Sequence, residues 1–366
     1  MKKLLNTIII FLAFSINAQE NIKYQKPSKE ILDLVEFERP PSILYDENKN
    51  FMLFLFRDNY KSIAELSAKE LRLGGLRIDP KTNIGSRVTY YNNVKIRNLK
   101  NKKSEITQVK GLPKNPKLSN ISWSPDQKRI ALTNTTETGV ELWVLELENG
   151  SVKKLTESNL NSNIGSVINW FSDSENMLVK MISNNRRPLI DTNKIVPDGP
   201  TISTNFGEKA QNRTYQDLLK NKFDEHNFEQ LSTSTIYKVS IDGSVKKWMD
   251  DGMYRTISFS PNGEYVMISQ INKPFSYLVT YSRFPTETNI YNKDGDFVSN
   301  LQKVPLIEEL PKGFMSVRTG KRSFSWRPDK GASLTYVTAL DSGDPSKKVD
   351  FRDEVYELNY PFSGKG

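Results

Sequence analysis

Ile121-Ser-Trp-Ser-Pro-Asp126 leads, two residues on, into Arg129-Ile-Ala-Leu132. An apolar residue, a small polar one and an aromatic alternate with strand period. Pro-Asp then marks a turn and a second apolar run begins, so the stretch reads as a β-hairpin. The phrase recurs as Ile168-Asn-Trp-Phe-Ser-Asp173 before Met177–Ile182, as Ile257-Ser-Phe-Ser-Pro-Asn262 before Tyr265–Ile271, and as Phe324-Ser-Trp-Arg-Pro-Asp329 before Leu334–Val337. A weaker copy, Ile43-Leu-Tyr-Asp-Glu-Asn48, runs into Phe51–Phe56. After the first full hairpin, Val140–Leu147 alternates strongly, Asn149-Gly150 turns and Val152–Leu155 returns, which supplies outer strands.

Hairpins repeated every few tens of residues cannot bury their apolar faces alone, and stacking them as four-stranded units around an axis gives a β-propeller. The expected fold is all-β, a propeller of WD40-like or TolB-like blades, against the alternative of a β-sandwich with regularly spaced turns. The four full copies start 47, 89 and 67 residues apart. A blade needs roughly 40 to 50 residues, so the second and third intervals carry insertions or further strands. About five blades are recognisable, the last unfinished with three strands, the third near Glu354–Leu358. The expectation is therefore an incomplete ring with an exposed strand edge and a poorly stable chain.

The ends and the insertion read differently from the repeats. Lys2 and Lys3 precede a short apolar stretch, Leu4–Phe14, and Ala18 closes it, the pattern of a secretory signal peptide over 1–18. As a helix that stretch spans about 16 Å, roughly half a bilayer core, so no membrane anchor is expected after cleavage. The chain is then exported, to the periplasm or the medium. Residues 19–40 form a polar lead-in, with Ile31–Phe37 as its one apolar cluster, and 41–366 form the propeller. Strand-like pieces fall at Val88–Tyr91 and Val94–Arg97. Within 188–232, Pro188, Pro197, Gly199 and Pro200 mark a loop. Tyr215, Leu218, Leu219, Phe223 and Leu231 then approach helical spacing, so an inserted helix or two is expected. Thr235–Ser240 resumes the interrupted blade.

The 366 residues contain no cysteine, which excludes disulfides, a thiol nucleophile and thiolate metal sites. The formal charge is +9, yet Lys and Arg are interleaved with Asp and Glu, so neither nucleic acid nor a membrane surface is an expected partner. No serine lies in a Gly-x-Ser-x-Gly elbow. The only histidine, His226, falls in the inserted helical segment and reads as a helix-surface or packing residue. No catalytic residue, metal ligand or cofactor is assigned, and Asp341-Ser-Gly-Asp344 reads as a turn rather than a cation loop. Trp123, Trp170, Phe259 and Trp326 occur once per repeat, which marks wedges between blades rather than a carbohydrate platform. Arg283 is the one candidate substrate-binding residue. Between aromatic strands and Pro285, its planar guanidinium suits a substrate carboxylate, against the alternative of an ordinary rim or cross-strand role.

Several runs resemble one family. Asn212–Glu225, Pro274-Phe-Ser-Tyr277, Arg283-Phe-Pro285, Ser316-Val-Arg318, Arg322–Arg327 and Arg352-Asp353 are similar to the propeller domain of glutamyl endopeptidase-like members of the prolyl oligopeptidase family of serine peptidases. That resemblance covers most of residues 40–360 in order. It implies a propeller that admits peptides to an α/β-hydrolase domain carrying Ser, Asp and His, residues without counterpart here. The expected function is the substrate-gating part of an exported peptidase, truncated or split so that this chain alone is not catalytic. Its implied partners are a peptide substrate and a separately encoded hydrolase domain. The alternative is a stand-alone periplasmic propeller that binds peptide or protein.

Overall fold

The computed structural model describes residues 25–366 except 102, 192–193, 197–198, 200–201 and 203–213. The leader at 1–18, and Pro197 and Pro200 of the expected loop, lie outside the described residues. The chain divides into two units, Met1–Pro40 and Pro41–Gly366. In the first, Lys29–Val35 form helix α1, none of whose residues is buried.

The second unit is a succession of antiparallel meanders. Blade 1 begins with β1 (Ser42–Tyr45) and β2 (Phe51–Phe56). Helix α2 (Ile63–Leu66) and a small sheet of β3 (Leu71–Leu73), β4 (Leu76–Asp79) and β5 (Ile84–Gly85) intervene. β6 (Asn93–Asn98) and β7 (Thr107–Gln108) then complete the blade. Blade 2 follows without interruption as β8 (Leu118–Trp123), β9 (Arg129–Thr135), β10 (Val140–Glu146) and β11 (Ser151–Lys154). Blade 3 holds β12 (Ile168–Trp170) and β13 (Asn176–Ile182), then the inserted helix α3 (Lys222–Ser232), then β14 (Ser234–Ser240) and the first part of β15 (Val245–Phe259). The second part of β15 opens blade 4, with β16 (Tyr265–Ile271), β17 (Thr286–Asn292) and β18 (Phe297–Val304). Blade 5 is β19 (Arg322–Trp326), β20 (Ser333–Ala339) and β21 (Asp353–Asn359). Within each blade, spatial order follows chain order. This is the all-β, propeller-like architecture that the repeated phrase implies.

The sheets of blades 2, 3 and 4 bury both faces against their neighbours, and the strand period sorts the side chains. In β13, Met177, Val179 and Met181 join Leu142 and Val144 of blade 2, whereas Leu178 joins Val266 and Ile268 of blade 4. In β16, Met267 turns the other way, toward Leu334 and Tyr336 of blade 5. Successive side chains on a strand point to opposite faces, so one strand serves two interfaces.

The repeated aromatic closes each interface. Trp170 donates its indole N–H to the Ser122 carbonyl at 3.2 Å, and Trp326 does the same to the Ser258 carbonyl at 3.1 Å. Both acceptors occupy the same place in the preceding copy. Phe259, which has no N–H, packs on Phe171 with ring centroids 4.7 Å apart. The turns are built alike too. Ser124 accepts from the Arg129 N–H and donates to Asp126, as Ser260 accepts from the Tyr265 N–H and donates to Asn262. Neighbouring turns are bonded to one another, Asp126 N–H to Ser174 Oγ at 2.9 Å and Asn262 N–H to the Gly331 carbonyl at 3.0 Å. They form a belt at one end of the blades.

Two local expectations are corrected. Val88–Tyr91 is not a strand: Tyr91 makes a single bridge to Leu118, and Val88 and Tyr90 are satisfied by packing on the core rather than by a ladder. Tyr215, Leu218 and Leu219 precede α3 instead of lying on it. Asp217 takes a left-handed φ of 58°, and Asn221 caps the helix by accepting from the Asp224 N–H at 2.9 Å.

Candidate functional site

The fifth apolar core lies between no pair of blades. Phe228 and Leu231 of α3 meet Leu73 and Ile78 of the small sheet, together with Val279 and Phe284 of the loop between β16 and β17. Met253 and Ile271, which also join it, pair at the end of blade 4 opposite the Ser260–Asn262 turn. The three additions therefore form a cap at the end of the blades away from the turn belt.

The cap is bound internally by groups that each element aims at the next. Gly74 and Gly75 make the β3–β4 turn with φ of 59° and 90°. The Gly75 N–H donates to the Asp217 carbonyl at 2.8 Å, and the Gly74 carbonyl accepts from the Tyr281 N–H at 2.7 Å. A side chain at Gly75 would meet Thr280 Cγ2 at 2.7 Å, so glycine is required there for close approach as well as for φ. From α3, Asn227 both accepts from the Ile190 N–H and donates to its carbonyl, at 2.8 and 2.9 Å. Phe228, Phe275 and Phe284 form an aromatic triangle with centroids 5.1 to 5.5 Å apart. His226 lies on the outer side of α3, its Nε2 3.0 Å from the Pro188 carbonyl oxygen.

Arg283 ends a short 3-10 turn, Tyr281–Arg283, within this cap. Its carbonyl accepts from the Ile307 N–H at 3.0 Å, which fixes the backbone. Its guanidinium stacks over the Tyr215 ring, 5.4 Å from the centroid. Arg283 Nη1 and Tyr215 Oη are both buried without a hydrogen-bond partner among the described residues. Buried donors left unpaired are uncommon in folded proteins. Arg186 borders the cap with a neutral partner as well, donating to Asn83 Oδ1 at 2.7 Å, and burial pushes its pKa down.

Reading the sequence did not single out Tyr215 as the partner of Arg283, nor the Leu73-Gly-Gly-Leu76 turn that props the 3-10 segment. The Gly-Gly pair was a usable turn signal. The pairing of residues 68 positions apart was not. Asp341 behaves as a turn residue, accepting from the Gly343 N–H and from Arg352 Nε, each at 2.7 Å.

Over 355 residues, 93% of its length, the chain is 33% identical to the "Probable glutamyl endopeptidase, chloroplastic" of Oryza sativa subsp. japonica, covering 38% of that protein. The Arabidopsis thaliana protein of the same name is 32% identical over 349 residues, 91% of this chain and 35% of its own length. The chain spans little over a third of the curated relatives it matches. Acylaminoacyl peptidase of Pyrococcus horikoshii matches 91% of the chain and 39% of its own at 15% identity, with a TM-score of 0.40. Prolyl oligopeptidase B of Galerina marginata matches 89% and 33% at 11% identity, with a TM-score of 0.39. No family model matches.

The chain is thus similar to about a third of a glutamyl endopeptidase, over a segment that folds here into propeller-like antiparallel sheets. The runs that carry this kinship touch one another in space: Tyr215 with Arg283, Glu225 with Tyr277 at 2.6 Å, and Arg322 with Asp353.

Proposed function

We propose that this chain is the substrate-gating propeller of an exported serine peptidase, which hydrolyses peptides, with a preference after Glu, only together with an α/β-hydrolase domain. The observation that carries this reading is the 33% identity over 355 residues to a glutamyl endopeptidase. The resembling runs around Tyr215 and Arg283, which stack on one another in the cap, support it further. No imidazole base is available beyond His226, which is bound to the Pro188 carbonyl on the outside of α3. The chain therefore admits and orients peptide, and the hydrolase supplies the nucleophile.

The test is hydrolysis of glutamyl and prolyl reporter peptides by the full chain, alone and mixed with the hydrolase domain of a relative. The expected outcome is turnover only in the mixture, with Arg283→Gln raising KM for the glutamyl peptide by about tenfold. Turnover by the chain alone would overturn the reading, and silence in the mixture would favour a binding module.

A further inference from the structure

A second cation at the cap end faces a cavity. Between Pro305–Pro311, which follows β18, and the Val317–Lys321 turn lies a cleft of about 650 Å³, within the roughly 300 to 1,000 Å³ of small-ligand sites. Its walls are held from outside. The Ile307 N–H is bonded to the Arg283 carbonyl, and Glu308 accepts from Ser276 Oγ at 2.5 Å. The Val317 N–H is bonded to the Gly343 carbonyl at 3.1 Å, and Arg352, itself paired with Asp341, donates to the Met315 carbonyl.

Arg318 lines this cleft, and its partners are all neutral. It donates to Gln302 Oε1 at 2.8 Å, to the Thr319 carbonyl at 3.0 Å and to the Lys321 carbonyl. Among the described residues no carboxylate lies within ion-pair distance of it, whereas Lys303 is paired with Glu287 and Arg322 with Asp353. Burial, and then the positive charge of Arg322, push its pKa down, so the cation is held where it is disfavoured. Its Nε–H has no protein acceptor among the described residues. The rest of the lining includes Val304, Leu306, Ile307 and Val317, which suit an aliphatic side chain, together with the carboxylates Glu308 and Glu309 and the cations Lys303 and Lys321.

We propose that this cleft is a carboxylate-recognising subsite for an extended peptide, with Arg318 taking the carboxylate and the aliphatic wall taking a neighbouring residue. The assignment rests on the chain being a peptide-contacting propeller, and it extends the contact surface beyond Arg283. The carboxylate belongs either to an acidic side chain or to a peptide C-terminus.

The test is binding of three fluorescent hexapeptides to the full chain: one with Glu and a C-terminal amide, its Gln twin, and the Gln peptide as free acid. The expected result is about tenfold tighter binding of a carboxylate peptide than of the neutral twin. Preference for the Glu amide assigns a side chain, and preference for the free acid assigns a C-terminus. Arg318→Gln is expected to abolish that preference while leaving the neutral peptide bound, with Arg318→Lys restoring part of it. A second measurement needs no variant: the preferred peptide is expected to protect Arg318 from phenylglyoxal, read by mass spectrometry. Equal binding of all three peptides, or labelling of Arg318 unaffected by peptide, would overturn the subsite and leave the peptide-contacting propeller standing. Binding of none would overturn both, and a preference abolished by Arg283→Gln but not by Arg318→Gln would move the subsite to Arg283.

Discussion

Lys180 lies two residues beyond Leu178 on β13, so strand period turns it toward blade 4, and it is only 2% exposed. Its ammonium donates to the Ile164 carbonyl, with no carboxylate in ion-pair distance among the described residues. Burial brings its pKa down from near 10.5 to about 7. Between those values the unfolded chain holds a proton that the folded chain has released, so stability rises with pH from about 7 toward 10.5. Below pH 7 both states are charged and the folded one carries the full burial penalty. Denaturant unfolding at pH 7, 8 and 9 is expected to show this rise. Lys180→Met is expected to flatten it and to add about 2 kcal/mol at pH 7. A slope unchanged in the variant would mean another group sets it. The sequence analysis did not single out Lys180 within the apolar run Met177–Ile182, because burial on both faces comes from the neighbouring blades and not from β13 itself.

Among the elements, the β3–β4 hairpin has the most leverage on the candidate site, since its Gly-Gly tip is bonded both to the segment before α3 and to the turn bearing Arg283. Gly75→Ala places a methyl against Thr280 in a backbone conformation that disfavours it. A loss of about 1 to 3 kcal/mol is expected, with weaker binding of acidic peptides through displacement of the 3-10 turn. Thermal melts and peptide titration check this, and wild-type behaviour in both would mean the tip is not what holds Arg283. The blade hairpins were legible because each phrase repeats and its period is short. The inserted helix was legible only in part: apolar spacing suggested it from Tyr215, but the Asn221 cap starts it at Lys222. The cap as a whole could not be read, since it joins residues from three separate stretches of chain.

At the scale of the molecule, a blade contacts mainly the next one, so stability is a sum of neighbour interfaces. Blades 2, 3 and 4 each have two such interfaces, seen in the clusters on either face of β9–β10, β13 and β16. β1, with Tyr45 51% exposed, and β21, with Val355 66% exposed, have open faces. Hydrogen exchange is expected to show protection greatest in β9, β13 and β16 and falling toward β1 and β21; uniform protection would contradict the neighbour-only picture. The stack was readable from the recurring aromatic, whose wedge role follows from the Trp170 and Trp326 bonds to equivalent carbonyls. The sharing of β15 was not, because its 15 residues look like the end of one unit and the start of another. Val245–Gly252 ladder with β14, and Met253–Phe259 with β16, along one unbroken strand. The gaps between blades 1 and 2, 2 and 3, or 4 and 5 are loops where a cut or a circular permutation spares every ladder. No such seam exists between blades 3 and 4, so a recombination that exchanges blades among relatives has to carry these two as a single module.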